Sequence, residues 1–265
     1  MAMKEGAPTT GVVPRSIKRY GWRPDTPDQR DRQSALKVMR VNKLPASVDL
    51  SKNSAMPPVY DQGQLGSCTA NAIGAAYEFE TRKQGLQDFM PSRLAIYYGE
   101  RVIESTVASD AGAEIRDGMK VINKSGAAPE ELWPYVVSKF ATRPSAAYYA
   151  AAAKHQCTAY EAVDQAEAAI KSQLAAGFPV VIGISVYESF ESDAVARTGT
   201  VPMPKPKEKL LGGHAILITG YASKVFRFRN SWGTNWGKSG YATLPVDYVL
   251  NADLASDFWT VRIIE

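Results

Sequence analysis

The character of the chain changes once along its length, and that change constrains the fold more than any other feature. From Cys68 to about Lys83 the residues Ala70, Ala72, Ile73, Ala75, Ala76, Tyr77 and Phe79 fill a proline-free run closed by Gly85. This predicts a helix, and its small-residue first half predicts central packing. Pro91 to about Ser105, and Ile115 to Lys124 closed by Gly126, predict two more helices. Beyond about residue 155 the pattern turns to strands. Val180–Val186 is short, β-branched and bounded by Pro179; Ala215–Tyr221 repeats that character. Val225–Arg229 alternates apolar with basic residues, Gly240–Leu244 adds another strand, and a short helix over Asp164–Ala175 precedes them. Helices gathered in one half and strands in the other describe an α+β chain. Its helical lobe spans about 60–150 and its mostly antiparallel lobe about 155–250, with no internal repeat.

The 265 residues suffice for two lobes around a cleft, and 45% hydrophobic with 22% charged is an ordinary globular balance. No apolar stretch approaches the roughly 18 to 20 residues of a membrane span. The first residues, MAMKEGAPTTGVVPRSIKRYGWRPD, hold no apolar core of signal-peptide length, so the usual secretory route is not indicated. The net charge of +4 is too mild to indicate nucleic acid, but it is unevenly placed. Residues 1–43 carry ten Lys/Arg against four Asp/Glu, a surplus of +6, which leaves the rest at −2. Rich in Pro8, Pro14, Pro24 and Pro27, this segment reads as an extended arm with one short helix near Gln33–Arg40. A basic arm on a slightly acidic body either docks on it, binds an anionic partner or stays solvated. Contact with nucleic acid through Arg15, Lys18, Arg19 and Arg23 is a poor option, since only Tyr20 and Trp22 accompany them. Leu44–Leu50 then reads as a strand leading into the body.

Two cysteines, Cys68 and Cys157, allow at most one disulfide, which suits a reducing compartment. Cys68 stands where a glycine-containing turn, Gly66-Ser67, meets a predicted helix. Unpaired amides and the helix dipole there favour a thiolate, and the Cys68 N–H offers an oxyanion donor. Gln62, six residues earlier, can bring a side-chain amide to the same point. His214 is one of two histidines and follows Gly212-Gly213 at a strand start, whereas His155 has no such frame. Asn230 lies sixteen residues further on, at the end of the next strand. If the two strands pair, an amide at 230 can hold the imidazole of His214 without adding charge. Taken singly, each has a plainer reading: a buried small Cys, a structural His, a solvated Gln, a turn-forming Asn.

Together they carry a resemblance. Gln62-Gly63-Gln64-Leu65-Gly66-Ser67-Cys68 resembles the papain family's segment from oxyanion glutamine to nucleophile. Gly213-His214-Ala215-Ile216-Leu217-Ile218-Thr219-Gly220-Tyr221 is similar to its histidine strand, and Asn230-Ser231-Trp232-Gly233-Thr234-Asn235-Trp236-Gly237 to its asparagine motif. Pro45-Ala46-Ser47-Val48-Asp49 resembles the start of the mature enzyme, and the match runs from about 44 to 245. The resemblance implies a helical left lobe, a β-barrel-like right lobe and a site in the cleft between them. Cys68, His214, Asn230 and Gln62 would then be catalytic. Gly112, Gly183, Gly213 and Trp236 would contact the substrate, and Trp232 would shield the Asn230–His214 bond. A glycine at 183 would leave its pocket room for bulky apolar or aromatic side chains. The family's disulfides are absent: Leu65 stands in place of one cysteine, and Thr69 replaces the Trp usual after the nucleophile. Only 43 residues precede the mature-like start, and the resemblance therefore implies a lean form without the long pro-domain, similar to the bacterial branch.

The resemblance thus implies a peptidase unit over 44–265 that acts on peptides or proteins and needs no metal or organic cofactor. Its arm, 1–43, would lie along the cleft. Two other readings use the same residues: a non-catalytic peptide-binding module, and a transpeptidase or esterase with the same nucleophile.

Overall fold

A computed structural model describes residues 15–265 apart from Lys37; the first part of the arm lies outside the described residues. Helix α1 (Cys68–Lys83) is buried from Cys68 to Thr81, which explains its small residues: α2 (Arg93–Ile103), α3 (Ile115–Lys124) and the sheet all pack against it. The Ser92 side chain caps α2 by accepting from Ala95 N at 3.2 Å. Ser67 makes no such bond at the start of α1, so its side chain leaves the first-turn amides uncapped beside Cys68.

The second half, joined by one strand from ahead of α1, forms a seven-stranded antiparallel sheet. Its strands are β1 (Ser47–Asp49), β2 (Cys157–Ala162), β3 (Val180–Tyr187), β4 (Leu210–Ala222), β5 (Val225–Arg229), β6 (Tyr241–Pro245) and β7 (Ala255–Ile264). They run in the order β2-β7-β3-β4-β5-β6, with β1 paired to β4. The lobe is therefore antiparallel as expected but open, since the end strands β2 and β6 do not close on each other. Both faces of the middle strands are covered. Val180, Ile182, Ile216 and Ile218 enter one core, while Val181, Ala215 and Leu217 face α1 in the other. Two-sided burial is why these strands read as unbroken apolar runs.

Two further expectations need correction, and some elements carry no signal in the sequence. No helix forms near 33–40 among the described residues. Arg32 O accepts from Ala162 N and Ser34 N donates to Ala162 O, both at 2.8 Å, so the backbone is already satisfied by β2 in an extended form. The right lobe does not end near 250, because β7 inserts between β2 and β3. Strand β2 lies inside a stretch that the sequence leaves unassigned. Short helices α4 (Ala146–Ala152), α6 (Asp193–Thr198) and α7 (Val246–Leu250) join α5 (Glu167–Ala175), and only α5 is legible from its pattern. Among the described residues no helix is long and apolar enough to cross a membrane.

The β1–β4 contact depends on a missing side chain. A Cβ at Gly220 would stand 2.2 Å from the Val48 carbonyl oxygen. Gly220→Ala should destabilise the fold by roughly 1–3 kcal/mol through overpacking. The expected result is a lower urea midpoint with an unchanged slope.

Candidate active site

Sheet register assembles the site. In the β3–β4 pairing Gly183 faces Ala215, Ile184 faces His214 and Ser185 faces Gly213. Strand β5 pairs with the far part of β4 and ends at Arg229, which delivers Asn230 to the His214 ring. His214 Nε2 and Asn230 Oδ1 are 2.8 Å apart. Because Ser231 N–H also donates to that oxygen at 2.8 Å, Oδ1 is the acceptor and His214 Nε2 carries the proton. That leaves Nδ1 as the free base of the ring.

Gln62 is held from both sides of the cleft. Its Oε1 accepts from Ser231 Oγ at 2.6 Å, its Nε2 donates to Leu65 O at 2.9 Å, and its backbone N–H donates to Ser231 O. The second N–H of the side-chain amide remains available. Tyr135, which the sequence does not single out, supports this turn through Gln62 O at 2.9 Å and the Ser67 hydroxyl. Thr69 donates to the buried Glu100 behind α1 at 2.8 Å, and burial holds that carboxyl well above the usual range.

Residues 15–25 pass through the cleft itself. The Arg15 guanidinium pairs with Asp61 at 2.7 Å; Ile17 N–H and the Tyr20 hydroxyl both donate to Glu191, at 2.9 and 2.6 Å. The backbone of 21–23 then ties the two lobes together. Trp22 N–H donates to Gly213 O at 2.9 Å, Ala113 N–H to Gly21 O at 2.7 Å, and Arg23 N–H to Ala113 O at 3.0 Å. The Tyr20 ring meets the His214 ring edge-on at 5.9 Å between centroids. The indole of Trp22 lies on Gly183 so closely that a Cβ there would come within 1.9 Å of it. Arg23 pairs with Glu104, and Asp31 with Arg116 at 3.1 Å.

This cover leaves Cys68 at 0% and His214 at 1% exposure, which decides their charge states. Burial pushes the Cys68 thiol up to about 12, although backbone amides of Ala215, Gly21 and Thr69 reaching the sulfur oppose it. Burial likewise brings His214 down to about 4 against the opposing bond to Asn230. Thiol and imidazole are both neutral beneath the arm. Cys157, a free thiol buried in β2, lies apart from this group and is bonded to Ala159 O.

The remaining predicted residues fall around the same cleft. Gly112 sits at φ +74, where a Cβ would strike Gly21 O at 2.2 Å, but the backbone that pairs with the arm is that of Ala113. Gly213 pairs through its carbonyl. The Trp232 ring lies 5.2 Å from the His214 ring between centroids, tilted by 36°. Trp236 is buried against Phe190 and Trp232, and with Arg15, Asp61 and Gln64 it borders a cavity of about 610 Å³. Ala113 and Glu191 carry no motif, so only the fold brings them here.

A two-lobed α+β architecture with Cys, His, Asn and Gln converging at its cleft defines a cysteine peptidase. The family model described as papain family cysteine protease matches residues 44–258, and the chain belongs to that family of hydrolases. It is 40% identical over 270 residues to an uncharacterized peptidase C1-like protein of Acanthamoeba polyphaga mimivirus, covering 92% of this chain and 87% of that one. Mouse cathepsin K is 27% identical over 210 residues, 76% of this chain and 60% of its own length. Among solved structures, xylellain, a cysteine protease from Xylella fastidiosa, superposes with a TM-score of 0.88 at 39% identity, covering 95% of this chain and 100% of that one.

Gly183→Leu should drive the Trp22 indole out of its seat. Alkylation of Cys68 by iodoacetamide at neutral pH should then run at least several-fold faster than in the native chain. An unchanged rate would mean that Trp22 does not keep the thiol covered.

Proposed function

We propose that the chain is an endopeptidase acting through a Cys68 thioester, with residues 44–265 as the catalytic unit and the arm, 1–43, as its built-in inhibitor. The observation that carries this reading is the course of residues 20–23, which occupy the space above Cys68 and His214 that a scissile peptide needs.

With the arm displaced, water reaches the pair and the thiolate–imidazolium state becomes accessible. The Cys68 sulfur adds to the substrate carbonyl. The oxyanion accepts hydrogen bonds from the Cys68 N–H, at the uncapped start of α1, and from the spare N–H of Gln62. His214 gives the proton taken from the thiol to the leaving amine, leaving an acyl-thioester on Cys68. It then takes a proton from water, whose oxygen attacks the acyl carbon, releasing the carboxylic acid and restoring the thiol. Asn230 transfers no proton; it keeps Nε2 occupied so that Nδ1 stays directed to chemistry. Burial acts in the inhibitor's favour twice, by excluding substrate and by keeping both reacting groups uncharged.

Cys68→Ala should abolish turnover of a fluorogenic peptide while preserving the fold, whereas Cys157→Ser should stay within a few-fold of the native rate. Gln62→Ala should lower kcat by roughly 10²-fold, the effect of one oxyanion donor, and Asn230→Ala should reduce activity without removing it. A raised KM at unchanged kcat in Gln62→Ala would reassign that residue to substrate binding.

The arm is tested by comparing the full chain with one beginning at Val41. The shortened chain should have the higher kcat/KM, and the arm peptide added in trans should reverse the gain. Acid should also favour release. The seated arm holds His214 near 4 against an ordinary value of 6.5, so the His214 contribution to seating is complete above 6.5 and falls away as pH drops toward 4. Asp25 opposes this: burial and the neighbouring Asp257 raise it to about 7, so its contribution is complete below its ordinary value of 3.8 and is lost as pH rises through about 7. Asp257 opposes it in the same direction, because burial raises its carboxyl too. Asp25→Asn should therefore shift the balance toward acid release, read as a larger pH 5 to pH 7 ratio of Cys68 labelling rates than in the native chain, with a reagent whose own rate is corrected for pH. Equal kcat/KM in the two chains, with no inhibition by the peptide, would sink the inhibitory reading.

A further inference from the structure

The pocket that Trp22 fills has one wall of glycine and one carboxylate. A Cβ at Gly183 would stand 1.9 Å from Trp22 Cε2, and one at Gly213 would stand 2.5 Å from Cε3, so the indole uses room that only these glycines leave. Its ring N–H donates to Asp257 Oδ2 at 3.0 Å. The same oxygen accepts from Asp25 N–H at 2.8 Å, so both of these donors come from the arm.

Backbone geometry sets that carboxylate in place. Across the β3–β7 pairing Val181 faces Trp259 but Gly183 faces Ser256, so β7 carries one extra residue there, and Asp257 lies in that bulge at φ +59. A non-glycine residue in the left-handed region is strained, and bulges beside active sites serve to re-aim a side chain. Here both features turn the side chain of Asp257 to the pocket.

We propose that Asp257 determines specificity: it selects substrates whose side chain in the Trp22 pocket ends in a cationic donor, arginine or lysine. When the arm leaves, Asp257 loses its indole and backbone donors together with the neighbouring Asp25 carboxyl. A partly buried carboxylate left with only its Ser256 contact is costly, and a guanidinium or ammonium group restores both charge and hydrogen bonds. The other charged groups near by do not displace this role. Arg116 stays paired with Glu114 on the body at 3.3 Å, and Glu104 adds negative charge once Arg23 has gone. Gly183 thus gives the pocket its width and Asp257 its polarity, which narrows the apolar preference expected from the glycine alone. Selection of this kind rests on the proposed role of Cys68.

The test uses the full chain and three peptidyl vinyl sulfones that differ only in the pocket residue: arginine, its neutral isostere citrulline, or leucine. Each needs the same arm-released state, so that equilibrium cancels in the ratio of their rates of Cys68 labelling. The expected arginine/citrulline ratio is on the order of tenfold or more, as for one partly desolvated charge pair. Asp257→Asn should bring it close to one, while Trp22→Ala should speed labelling by all three and keep the ratio. A ratio near one in the native chain, or one unmoved by Asp257→Asn, overturns the assignment of Asp257 alone. If Asp257→Asn does not fold, the ratio in the Trp22→Ala chain decides in the same way. Labelling by none of the three, in any of these chains, overturns the role of Cys68 and with it the selective role of Asp257.

Discussion

The pairing of β4 with β3 on one side and β5 on the other is the constraint on which the site depends. One residue of slip would turn His214 to the opposite face of the sheet and carry Gly213 away from Gly183. The register is held by burial on both faces, with Ile216 and Ile218 in one core and Ala215 and Leu217 in the other. From that frame come the delivery of Asn230 at the end of β5 and the glycine-walled pocket between β3 and β4. Only Cys68 and Gln62 arrive from elsewhere, and Ser231 ties Gln62 to the sheet.

The arm joins what the sheet does not. Its backbone bonds to Ala113 in the helical lobe and Gly213 in the β lobe, through consecutive residues. Backbone pairing of this kind needs little from side chains except at Gly21, where a Cβ would meet the Gly66 carbonyl oxygen at 1.8 Å. Charge acts unevenly along the arm, since the side chains of Glu104 and Arg116, the body partners of Arg23 and Asp31, are buried. The Arg15–Asp61 pair involves an Asp61 side chain that is 55% exposed, so salt screens it, whereas the enclosed indole of Trp22 is insensitive to salt.

Much of this architecture is legible in the sequence because the signals are local. Helix α1 spans Cys68–Lys83 and β5 spans Val225–Arg229, as their patterns indicate, since a proline-free small-residue run and an alternating run each specify one period. The four polar residues of the site are legible as types at spacings. What escapes is set by tertiary contact. Strand β7 hides because Ser256 and Asp257 interrupt its apolar run, and the bulge responsible exists only against β3. Ala113 has no signature, because its backbone rather than its side chain meets the arm. The stretch 33–40 has a helical composition, yet β2 offers its backbone an extended partner at Ala162.

The arm's covalent attachment has a consequence in concentration terms. On the proposed reading, the segment that fills the cleft can never be diluted away, because the tether to β1 fixes how often it revisits its seat. Short flexible tethers give effective concentrations on the order of millimolar. A peptide substrate present at micromolar levels would compete with a rival about a thousand times more abundant at the cleft, whatever the amount of enzyme. Activity of the intact chain would then track the fraction of time the arm is displaced, and a single cut between Trp22 and β1 would convert an undilutable inhibitor into one that washes off.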